Sequence, residues 1–114
     1  MRTASWLAGA VLVASAAVSD AHVHLKQSVP AEGAVVGAPP AQIVLTFTEP
    51  AVVTAVWIQQ DANARRKLGP VPDKAAVTVT VPTPGLEPGK YVVTWRALSP
   101  DRHIMSGQLH FTVS

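Results

Sequence analysis

The sequence predicts an all-β domain, a small antiparallel β-sandwich, preceded by a cleaved signal peptide. Three observations predict it. Apolar residues recur with period two in several short segments. Ten prolines and seven glycines punctuate those segments. No stretch beyond the first 21 residues has the spacing of an amphipathic helix.

The opening residues do not read as part of the fold. Arg2 is followed by an uncharged run of small and apolar residues from Trp6 to Val18. Ser19 and Ala21 then stand three residues and one residue before a cut that would expose His22. A charged tip, a short apolar run and small residues at those two places make a secretory signal over 1–21 and a mature domain over 22–114. The run is short for a membrane span, which needs roughly 20 apolar residues. A cut after Ser19 and an uncleaved anchor are the competing readings.

Pro30 to Gly33 and Gly37 to Pro40 read as turns. Ile43, Leu45 and Phe47 share one face of a strand, with Val44, Thr46 and Thr48 on the other. Val52 to Ile58 is a more continuous β-branched run containing Trp57, as in a strand covered on both sides. Gln59 to Asp73 is a polar loop with room for a short strand near Leu68. Val77, Val79 and Val81 should point inward, and Pro82 to Gly89 should be a connector. Tyr91, Val93, Trp95 and Ala97 share one face, and Leu109, Phe111 and Val113 another, leaving His110 outward.

With no cysteine, an exported domain of this size rests on its core alone. Losing Arg2 and Asp20 with the signal keeps the net charge at +2. The basic cluster Arg65-Arg66-Lys67 has no aromatic residue interleaved in sequence and reads as a solvated turn, with no nucleic-acid footprint.

The four histidines are His22, His24, His103 and His110. A histidine at an N-terminus is a chelator, because its α-amine and imidazole Nδ1 close one ring on a metal ion. That amine has an ordinary pKa of about 7.7–8, so a metal displaces its proton easily. Asp101 and His103 are separated by one residue in a loop between two strands, so if that loop is extended their side chains can lie on one side and converge. Two nitrogens from His22, one from His103 and an oxygen from Asp101 would form the N,O set that tetragonal Cu(II) prefers. Each part also has an ordinary explanation: Asp101 as a turn cap, His24 and His110 as exposed strand residues, and Met105 as packing.

Residues 21–33 (AHVHLKQSVPAEG) and the run YVVTWRALSPDRH from Tyr91 to His103, continued through Gly107 to Phe111, resemble the CopC copper-resistance family. Ile43 to Glu49 is a looser match. The resemblance implies a small Greek-key, immunoglobulin-like sandwich and a periplasmic Cu(II)-binding protein that is not an enzyme. His22, Asp101 and His103 fall on the family's ligand positions, and Glu49 and His24 are candidates for supporting them. Some members add a methionine-rich Cu(I) site after Glu49; residues 51–63 here contain no methionine, so one Cu(II) site and no Cu(I) site are expected. The implied partners are the copper ion and a CopD-type inner-membrane protein, with the chain itself a monomer. A copper mono-oxygenase with a histidine brace and a metal-free immunoglobulin-like interaction module are the rival classes. A coordinating Asp101 disfavours the first by filling a position that oxygen needs.

Overall fold

A computed structural model describes residues 23–114; the expected signal segment and His22 lie outside the described residues. Seven strands follow in order: β1 Leu25–Val29, β2 Ala34–Val36, β3 Gln42–Gln60, β4 Arg66–Leu68, β5 Ala76–Pro82, β6 Gly89–Leu98 and β7 Ile104–Val113. Period-two patterning and turn residues at the expected places account for most of them. The short β4 forms around Leu68, where the sequence left room for it.

The architecture is a β-sandwich whose two sheets share β3. The first half of β3 lies between β1 and β5, both antiparallel to it. Its second half lies between β4 and β6, and β6 continues the second sheet to β7. A single 19-residue strand thus replaces the two strands expected around Glu49 and Pro50. The ladder to β5 jumps from Thr46–Thr78 to Ala51–Ala76. Pro50 sits inside that jump, where a missing N–H costs no ladder bond.

Three further features depart from the sequence reading. The pairing of β2 with β7 is parallel, in an otherwise antiparallel sandwich. The chain crosses from one sheet to the other after β1 and joins the free edge of β7 there. Val77, expected inward, is 42% exposed. By alternation it would face Phe47, but the ladder breaks beyond Thr46–Thr78, and β3 is by then leaving the sheet. The continuous apolar look of Val52 to Ile58 comes from a bulge. The register with β6 shifts between Val53 and Ala55, so Ala55 and Val56 are both buried, and Trp57 is only half-buried.

The core lies between the two inner faces. Ile43, Leu45, Phe47, Val79 and Val81 come from one sheet, and Val56, Ile58, Val93, Leu109 and Val113 from the other. Phe47 meets Trp95 edge-on at 5.3 Å between centroids, and Tyr91 stacks on Phe111 at 5.2 Å. Such pairs add to the burial of their area. The Tyr91 hydroxyl donates to the Glu87 carbonyl at 2.6 Å and accepts from the Glu87 amide at 2.9 Å. This is the tyrosine corner of immunoglobulin-like sandwiches, and it pins the connector before β6.

Candidate metal centre

The β6–β7 connection is a tight hairpin loop, Ser99 to His103. The Ser99 amide donates to the His103 carbonyl, and the Arg102 amide donates to the Ser99 carbonyl, both at 2.9 Å. Arg102 carries φ of 71°. A type I turn closed by one left-handed residue is the usual form of a three-residue hairpin loop. The left-handed residue reverses the chain between Asp101 and His103, so the two side chains meet: His103 Nδ1 lies 2.9 Å from Asp101 Oδ2. Both are well exposed.

Ser99 organises this loop and received no role in the sequence reading. It is buried, at 7% exposure. Its hydroxyl donates to Asp101 Oδ1 and accepts from the His103 amide at 3.1 Å. Hydrogen bonding by Ser99, and then by His103, lowers the pKa of Asp101 from 3.8 to about 2. A signal for Ser99 was present: serine is favoured as the first residue of a type I turn.

The chain enters the fold at the same end of the molecule. The His24 amide donates to Thr48 Oγ1 at 2.9 Å, and the Thr48 amide returns a bond to the His24 carbonyl at 2.8 Å. Glu49 follows Thr48, three residues before Val52. Val52 pairs with Leu98, the last residue of β6 before the Ser99–His103 loop. Register therefore assigns His24, Glu49, Asp101 and His103 to one end of the sandwich. The side chains of His24 and Glu49 are exposed. No group of three or more acidic, histidine or cysteine side chains that could hold a metal is formed among the described residues. His22, the remaining expected ligand, lies outside them.

The contact between His103 Nδ1 and Asp101 Oδ2 is a hydrogen bond of 2.9 Å. As ligands, the two side chains would leave a tetragonal ion half coordinated. His110 is elsewhere: it pairs across β6 with Val92, and its Nδ1 lies 3.1 Å from Glu32 Oε2. Met105 packs against the core.

Residues 25–114 match the CopC domain family. The chain is 36% identical over 107 residues to copper resistance protein C of Pseudomonas syringae pv. tomato, covering 85% of this chain and 84% of that protein. It is 32% identical over 118 residues to copper resistance protein C of Escherichia coli, covering 94% and 93%. Among solved structures, CopC from Methylosinus trichosporium OB3b superposes with a TM-score of 0.69 at 29% identity, over 82% of this chain and 94% of that one. PcoC, a methionine-rich copper resistance protein from Escherichia coli, superposes with a TM-score of 0.63 at 29% identity, over 82% and 99%.

Proposed function

The chain belongs to the CopC domain family, and we propose from that premise that it is an exported, monomeric Cu(II)-binding protein of the periplasm. His22, exposed as a terminus by cleavage after Ala21, supplies its α-amine and imidazole, and Asp101 and His103 complete the set. Copper is cargo here, sequestered or handed to a membrane importer of the CopD type, and no reaction is catalysed. The observation that carries the reading is the Asp101–His103 pair, 2.9 Å apart, at the end of the sandwich where His24 is bonded to Thr48. Glu49 and His24 support the site from that same end.

The site favours Cu(II) over Cu(I), because its donors are nitrogen and oxygen, whereas soft thiolate and thioether donors select Cu(I). The chain contains two methionines, Met1 and Met105, in contrast to its methionine-rich relative PcoC. Titration of the chain beginning at His22 with Cu(II) tests the proposal. One tightly bound ion per chain is expected, with a spin-resonance spectrum of a tetragonal nitrogen–oxygen site. Absence of tight binding would return the molecule to the class of metal-free interaction modules.

A further inference from the structure

We infer that the outer face of the sheet formed by β4, β3, β6 and β7 is a docking surface for a carboxylate-rich segment of a partner protein. Trp57 is half-buried on that face. Arg65 Cζ lies 4.3 Å from its ring centroid and Arg96 Cζ lies 5.3 Å from it. Lys67 stands opposite Trp57 in register, and Thr94 and Gln108 continue the same row across β6 and β7. The cluster Arg65-Arg66-Lys67, which lacks an aromatic neighbour in sequence, gains one in space from β3 and a further cation from β6.

Among the described residues the ion pairs are His103–Asp101 and His110–Glu32, and neither uses an arginine or a lysine. Arg65, Lys67 and Arg96 thus gather positive charge that no acidic side chain among the described residues neutralises, and an anionic partner relieves their mutual repulsion. Stacking on indole also holds a guanidinium in place before anything binds, which lowers the ordering cost of association. A planar guanidinium so held matches a carboxylate through two parallel hydrogen bonds. A bilayer is the poorer occupant. Trp57 could bury itself among acyl chains only by giving up its guanidinium contacts.

The face has a direction. Along β6 it runs from Thr94 through Arg96 to Leu98, about 13 Å, and Leu98 pairs with Ile104, which is 74% exposed. The Ser99–His103 loop begins there. A partner seated on Trp57 and the arginines lies beside Asp101 and His103, where an acceptor or donor of the cargo would need to be.

The test needs no copper, so its failure and that of the proposed copper site are distinguishable. A labelled deca-glutamate peptide is titrated at low salt with the chain beginning at His22. Saturable binding that weakens with salt is expected. Arg65→Ala with Arg96→Ala should weaken it about tenfold for each guanidinium removed. Lys26→Ala with Lys74→Ala removes the same charge from other parts of the surface and should leave binding unchanged. Arg65→Lys with Arg96→Lys keeps charge and fold but lacks the planar fork, and should fall between. Equal losses in the two alanine pairs, or no peptide binding at all, would overturn the proposal. Tighter binding of phosphatidylglycerol vesicles or a DNA duplex, lost with the same two arginines, would overturn the assigned partner.

Discussion

At Ser99 one hydroxyl serves two partners, donating to the Asp101 carboxylate and accepting from the His103 amide. Asp101 is depressed to about 2 in the fold. Its contribution to stability is therefore present above the ordinary carboxylate range and is lost as pH falls from there toward 2. Ser99→Ala removes the largest cause, so the titration midpoint of Asp101 in the metal-free protein should rise toward 3.8, as read from its carboxyl carbon resonance. An unmoved midpoint would assign the depression to His103. In the copper-loaded protein, His103→Ala should remove one nitrogen from the hyperfine pattern and His110→Ala should remove none. The meeting of Asp101 and His103 was legible in the sequence from their separation by one residue, but its cause was not: an extended loop was expected, and a turn closed by Arg102 at φ of 71° brings them together instead. Ser99 carried only the general signal of a turn-favouring serine, and serine two residues before an aspartate is common in loops that bind nothing. The burial that marks it out exists only after β6 and β7 have paired.

Among the elements, β6 was the most legible, because Tyr91, Val93, Trp95 and Ala97 alternate and all are buried; in β7 the same holds for Leu109, Phe111 and Val113, whereas the stretch from Ile104 to Gly107 carried no such alternation. The passage of β3 between sheets was not legible. Alternation is a local pattern, and a strand that changes sheets keeps its alternation while changing its neighbours. The same limit hid the contact of Arg65 with Trp57: Arg65 lies just before β4, two residues from Lys67, which pairs with Trp57 on β3. Gly107 shows how closely β6 and β7 are fitted. It pairs with Trp95, and a Cβ there would stand 2.6 Å from Trp95 Cζ2. The indole cannot retreat easily, because Phe47 packs against it. Gly107→Ala should destabilise the fold by about 1–3 kcal/mol, read as a lower urea midpoint with an unchanged slope. At the other end of β6, Tyr91→Phe keeps the stack on Phe111 and loses both bonds to Glu87. A loss of about 1–3 kcal/mol is expected there too, with the copper spectrum unaltered because the corner lies at the opposite end of the strand.

For the whole molecule, the absence of cysteine leaves the fold without a covalent brace, so a bound ion would be its one cross-link. An ion held by His22, Asp101 and His103 ties the start of the mature domain to the β6–β7 loop, which the fold already places at the end where His24 meets Thr48. Binding that favours the folded state stabilises it by about 2.7 kcal/mol when free ligand stands at 100 times Kd. For a domain of this size that is a rise in Tm of about 10–20 °C. The rise should depend on where the chain begins. One alanine added before His22 converts the amine to an amide, opens the chelate ring and leaves the folded core untouched. The extended chain should therefore unfold at the same temperature without copper, and should show only a small rise at the same copper concentration. Equal rises in the two chains would remove the terminal amine from the ligand set and leave Asp101 and His103 to be completed by other donors.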